Sequence, residues 1–307
     1  MTVAVRPAET STDAPFVAGA IAVVAWGFGP LIVRAIPRSF ETIALFRVGL
    51  AVPVMIAVAY IMGGKITWTV MKHAFVPGAL FFISMITSFA SFQKTSIALA
   101  TLIPAVQPAL VLFIAPKLFG ERSSARQNMF AALSLLGVGG VVLAAGGTAG
   151  SGASGNILAA INLVVWTAYF VQIKRVRALD IHSWSLLAAV LTVCACFTTP
   201  FALITSDDLG SFGGSDWGYI ALMIFGPGLL GHGLMTWAQR HLALSIASLM
   251  TLGGPVISAV GAWAIYSESL RPLQIVCAVV VLGALAGMVL VARQSVAAQT
   301  ALSGPPE

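Results

Sequence analysis

Two apolar segments of this chain have nearly the same layout, and each is broken at the same place. Residues 95–121 read TSIALATLIPAVQPALVLFIAPKLFGE and residues 242–268 read LALSIASLMTLGGPVISAVGAWAIYSE. A shift of 147 residues lays Pro108 on Pro255, Glu121 on Glu268 and Gln127 on Gln274. Each segment is long enough to cross a hydrocarbon layer of about 30 Å as a helix. Yet Pro104 and Pro108 in the first, and Gly253-Gly254-Pro255 in the second, interrupt the helical hydrogen-bond ladder. Freed backbone groups at membrane depth need protein, water or a ligand to satisfy them. Interrupted apolar segments at matching places in two halves therefore point to the binding site of a membrane carrier.

The rest of the chain fits a membrane protein. Of 307 residues, 59% are hydrophobic and 8% charged, with mean hydropathy +0.98, where a soluble domain carries about 25% charged residues. Ten apolar stretches of spanning length are expected, at 15–33, 42–62, 73–92, 95–115, 127–145, 155–173, 184–204, 217–237, 242–265 and 272–292. The uncharged run GGTAGSGASG at 146–155 reads as a flexible joint between 15–145 and 156–292. The polar ends, 1–14 and 293–307, read as tails. Five spans on each side of the joint make the second half enter the bilayer from the opposite face. The fold class is thus an all-α integral membrane protein, ten transmembrane helices arranged as two inverted five-helix repeats around a central cavity. The first span lacks the basic flank and small-residue exit of a cleavable signal.

The net charge of +6 is spread over short loops and makes no nucleic-acid face. With the N-terminus in the cytoplasm, eleven Lys and Arg fall on the cytoplasmic side and four on the other, with Arg47 inside a span. The positive-inside rule then places both termini in the cytoplasm. Cys194, Cys196 and Cys277 lie in apolar runs and read as packing residues, with neither a metal site nor a disulfide framework.

Trp26-Gly27 in the first span, Phe46-Arg47 in the second, the mid-span prolines and the glutamates closing spans four and nine resemble the drug/metabolite transporter superfamily of EamA type. The likeness runs over nearly the whole chain, most of all to bacterial amino-acid and metabolite exporters such as the YddG-like aromatic amino-acid exporters. It implies a basket of ten helices around a central cavity, in a multi-pass protein of the bacterial inner membrane. The second half has Leu187 near the place of Arg47, so any role of that arginine is not duplicated.

Polar groups near mid-span must face a wet interior. Gln107, Asn162 and His232 are the foremost, followed by Ser84, Ser88 and Ser91, whose hydroxyls more commonly bond their own helix. Aromatic side chains add Trp26, Phe89, Trp166 and Tyr169, and a buried indole needs a partner for its N–H. The expected substrate contacts are Trp26, Phe89, Gln107, Asn162, Trp166, Tyr169 and His232. The expected hinges are Pro104, Pro108, Gly253, Gly254 and Pro255. Glu121 and Glu268 are expected to support the fold by accepting N–H groups where the next helix starts. Arg47 is expected to be structural, snorkelling outward or pairing with Glu41.

No carboxylate lies in the middle third of a span, so His232 is the one group at depth able to carry a proton. The reading is a secondary carrier or uniporter for small organic solutes, amino acids above all, which holds a zwitterion without a fixed countercharge. A proton-coupled exporter of drugs or quaternary amines on the same fold is the alternative. No H-E-x-x-H or buried Asp pair supports a membrane enzyme, and no filter-like loop supports a channel. Cofactors and metals are not expected. The partners are the solute and membrane lipid, with the chain a monomer or homodimer.

Overall fold

The computed structural model describes residues 14–120, 124–145, 152–242 and 244–268, and in the last helix 272–273, 275–277, 279–284, 286–287 and 290–291. All regular structure in these residues is helical. Eight helices are long and apolar enough to cross a membrane: α1 Ala14–Ala35, α2 Phe40–Ile61, α3 Trp68–Lys94, α4 Ile97–Phe119, α6 Ala153–Arg177, α7 Ser183–Thr205, α8 Asp216–His241 and α9 Ile246–Tyr266. Helix α5, Ala125–Ala145, covers the expected fifth span, and α10, Ile275–Ala284, lies within the tenth. Side chains such as Ile61, Ile204, Val260 and Trp263 stand on the outside, more than half exposed. So much uncovered apolar surface suits a lipid solvent and marks a multi-pass membrane protein.

Local chemistry sets the helix ends. Ser39, Thr67 and Ser96 each accept a backbone N–H at the start of α2, α3 and α4. The helix boundary moves accordingly, so that α3 starts at Trp68 and α4 at Ile97. Gln127 forms a capping box with Ser124: Oε1 accepts the Ser124 N–H at 2.7 Å and the Gln127 N–H donates to the Ser124 hydroxyl at 3.2 Å. The joint is only partly a joint, because Ala153–Gly155 already form the first turn of α6. Gly155 is needed there for close approach: a Cβ would stand 2.7 Å from the Lys94 carbonyl carbon. Residues 146–151, the two tails before Ala14 and after 291, Glu121 and Gln274 lie outside the described residues.

Among the described residues, the halves pack against each other more than within themselves. Helix α2 lies on α7, α3 on α6 and α7, and α1 on α8 and α9, while α4 touches both α6 and α9. Gly27 sets the α1–α9 crossing, where a Cβ would meet Ile257 Cβ at 2.7 Å and the Gly254 carbonyl at 3.2 Å. Ser258 Oγ donates to the Gly27 carbonyl at 2.7 Å in the same crossing.

A cationic clamp stands at each end of the bundle. At the first end, Arg34, in the last turn of α1, donates from Nε to the Phe92 carbonyl at 2.8 Å and from Nη2 to the Thr95 carbonyl at 2.7 Å. Its Nη1 reaches Glu268 Oε1 at 3.1 Å, and Glu268 Oε2 accepts the Ile97 N–H at 2.9 Å. Glu268 therefore caps the start of α4; residues 269–271, where the next helix is expected to start, lie outside the described residues. At the other end Lys174, near the end of α6, donates to the Gln239 carbonyl at 3.1 Å and the Leu242 carbonyl at 2.7 Å. Arg34 to Lys174 is a step of 140 residues, the same as Trp26 to Trp166; Phe92 to Gln239 and Thr95 to Leu242 are both steps of 147. Matching positions of the two halves thus do matching work at opposite ends.

The Glu268 end also joins the halves through two aspartates. Arg38 Nε donates to Asp216 Oδ2 at 2.8 Å. Asp208 accepts the Ser39 N–H at 2.7 Å, the Ser39 hydroxyl at 2.8 Å, the Ser206 hydroxyl at 3.0 Å and the Thr42 hydroxyl. Partial burial alone would push its carboxyl up; the hydrogen bonds from Thr42, Ser39 and Ser206 outweigh that and bring it down to about 2.

Candidate functional site

The breaks foreseen in the sequence shape the centre. Helix α4 runs as Ile97–Leu102, a 3-10 turn at Pro104–Val106, then Gln107–Phe119. Helix α9 breaks at Thr251 and Leu252, between Leu244–Met250 and Gly253–Tyr266. A third break has no counterpart in the sequence reading. In α8, residues Ile224–Gly233 wind as a π-helix that contains Pro227 and ends beside His232. Such wide turns turn a side chain away from the direction a regular helix gives it, and they recur at functional sites.

Around these breaks lies a cavity of about 200 Å³. Of the seven expected contacts, Trp26, Phe89, Gln107, Asn162, Trp166 and His232 line it. Tyr169 does not; it is buried behind the wall, stacked on Trp166 with ring centres 4.9 Å apart. Pro104, Gly254 and Pro255 line the cavity, whereas Pro108 and Gly253 stand behind it in the segments that follow the breaks. Much of the lining comes from the second half of α1, the first turns of α2 and α4, and the second half of α3, towards the Glu268 end. Trp166, His232, Thr251, Gly254 and Pro255 form its floor at mid-bundle.

The walls are aromatic. Trp26, Phe81 and Trp166 surround His232 with ring centres 5.1, 4.9 and 5.9 Å away. Trp26 and Trp166, matched in the two halves, meet edge to face at 5.7 Å. Trp26 packs closely on α8 because Gly231 leaves room: a Cβ there would come within 2.5 Å of the indole Cδ1 and Nε1.

Polar partners are few. Ser84 Oγ donates to Asn162 Oδ1 at 2.6 Å across α3 and α6. Ser88 and Ser91 bond carbonyls of their own helix. Four buried atoms of lining residues have no hydrogen-bond partner among the described residues: Gln107 Nε2 and Oε1, Trp26 Nε1 and Arg47 Nε. Gln107 is 1% exposed, and an orphaned buried polar group costs about 1–3 kcal/mol.

Arg47 departs from its expected place. It turns inward and lines the cavity, 6% exposed, and forms no ion pair among the described residues. Its guanidinium sits 5.9 Å from the Phe81 ring centre and 5.6 Å from that of Phe89, with Nη1 3.4 Å from Met85 Sδ. Seven residues into its span, the side chain can reach either the interface or the interior, and the ring faces of α3 hold it inside. The site does hold a fixed positive charge, contrary to the expectation of none. Glu121, the other expected fold-supporting carboxylate, lies outside the described residues.

Comparison with known proteins agrees with this architecture. No curated protein matches significantly. Twenty-nine chains of solved structures match. One of them, described as "Crystal structure of protein", has a TM-score of 0.66 at 21% identity, over 91% of this chain and 98% of its own. At that identity the likeness shows a shared fold. The profile of the EamA-like transporter family matches twice, over residues 15–143 and 153–290, and the chain belongs to that family.

Proposed function

We propose that this membrane transporter is a secondary carrier for small organic solutes, with amino acids bearing aromatic or aliphatic side chains as the main class. On this reading it works by alternating access in the bacterial inner membrane, as an exporter or uniporter of the kind that exports aromatic amino acids. Ten spans form two inverted halves, with both termini in the cytoplasm. One observation carries the reading: a mid-bundle cavity is walled by rings from both halves and edged by polar atoms that lack partners. Rings offer stacking to an apolar body, and the orphaned amide of Gln107 offers a donor and an acceptor to a polar head. The paired clamps of Arg34 and Lys174 support inversion, since related residues act at opposite ends. Family membership argues for transport over catalysis.

Counterflow in proteoliposomes tests this. Purified protein, preloaded with unlabelled phenylalanine, is expected to take up labelled phenylalanine in a saturable way, faster than unloaded vesicles do. Gln107→Ala and Trp166→Ala are expected to abolish that uptake while keeping a monodisperse, cooperatively unfolding protein. Uptake that is linear in concentration and blind to preloading would mean a pore, and wild-type uptake unchanged in both variants would remove the site.

A further inference from the structure

We propose that Arg47 is the anchor for an anionic group on the transported solute, so that the site takes small carboxylates and amino acids and rejects organic cations. This deepens the carrier reading and rests on it. A guanidinium inside a membrane bundle is rare and needs compensation. Around Arg47 the structure supplies two phenyl faces and one thioether sulfur, a weak acceptor, and leaves Nε with no partner. None of the residues lining the cavity is an aspartate or glutamate, so nothing there neutralises the charge. The acidic side chains that do pair with cations, Asp180, Asp216 and Glu268, are engaged at the two ends of the bundle.

A solute carboxylate answers each of these deficits. It brings the missing charge and accepts in the fork geometry that guanidinium donors favour. The rest of an aromatic or aliphatic acid then meets Trp26, Trp166 and Phe89, all in the same cavity. For an amino acid, Gln107 Oε1 is an unpaired acceptor for the ammonium group. A cavity of about 200 Å³ favours a single small solute. An organic cation would gain the rings and lose to repulsion by Arg47.

The test uses three probes of one shape: 3-phenylpropionate, phenylalanine and phenethylamine. Binding to the full-length detergent-solubilised protein is read by quenching of tryptophan fluorescence, apart from the flux assay. Phenylpropionate and phenylalanine are expected to bind, and phenethylamine to bind at least ~10-fold more weakly. Arg47→Met is expected to erase that preference and Arg47→Lys to keep part of it. The melting temperature of Arg47→Met is expected to stay level or rise, because an uncompensated buried charge is removed. Equal binding of amine and acid by the wild type overturns the assignment, as does unchanged acid binding by Arg47→Met, or a fall in its melting temperature with the preference intact. Acid binding without flux leaves Arg47 in place and overturns the carrier reading alone.

Discussion

At the scale of single residues, small groups and unpaired atoms decide the site. Gly231→Ala puts a Cβ where the Trp26 ring now lies, 2.5 Å from two of its atoms. The ring has to leave the wall, and overpacking of this kind costs about 1–3 kcal/mol. Flux is expected to fall at least ~10-fold with a modest loss of thermal stability, since 1.4 kcal/mol is a factor of ten; normal flux would show that the indole is not part of the wall. Asp208 gives a pH prediction. Its carboxyl sits near 2 in the fold, against an ordinary value of 3.8. A depressed value means the ionised form is favoured by folding, so the stabilisation is full above about 4 and is lost as pH falls towards 2. Thermal unfolding of Asp208→Asn is expected to be weaker than wild type at neutral pH and to lack this acid-side decline; parallel curves down to pH 2 would refute it. Much of the cavity lining was legible at this scale. Gln107, His232, Trp26 and Trp166 announced themselves as polar or aromatic groups at membrane depth. Arg47 did not, because its distance from the span end permits both directions and only the rings of Phe81 and Phe89 choose between them.

At the scale of elements, eight helices fall where hydropathy put them, with ends moved by caps that a hydropathy window ignores. The breaks in α4 and α9 follow from proline and glycine. The π-helical stretch of α8 was not legible: Pro227 marks the place, but one proline does not distinguish a kink from a widened turn. Of the clamps only Glu268 was legible, as a carboxylate expected to accept N–H groups at a helix start, since carbonyl acceptors leave no mark in a sequence. Their use can be measured. Arg34→Ala frees the α3–α4 corner from α1 and leaves Glu268 without its cation. Lys174→Ala frees the α8–α9 corner from α6. Each is expected to cost on the order of 2 kcal/mol, as hydrogen bonds to charged groups do, with Arg34 the larger because it holds three acceptors. Being at opposite ends, the two losses are expected to add to within about 0.5 kcal/mol in melting experiments. Strong coupling between them would mean that the ends are not independent.

At the scale of the whole molecule, the proposed alternating access makes a prediction about a second state. The cavity reaches from mid-bundle towards the Glu268 end, and Ser88 and Thr101 are half-buried in its wall. Their partners 147 residues on, Met235 and Ser248, are fully buried towards the Lys174 end. If the halves are inverted copies, the second state exchanges the environments of matching residues. Met235 and Ser248 then line a cavity open to the cytoplasm, while Ser88 and Thr101 close up. This is testable in a cysteine-free background with Thr101→Cys and Ser248→Cys, using a membrane-impermeant maleimide on right-side-out and inverted vesicles. Thr101→Cys is expected to react from the periplasmic face and Ser248→Cys from the cytoplasmic face. A substrate gradient that favours one state should slow the first reaction as it speeds the second. The reciprocity carries the argument, because a static pore would leave both rates alone and a local opening would change only one. Reaction of both sites from the same face would end the inverted-repeat account, and with it the reason for Arg34 and Lys174 to stand where they do.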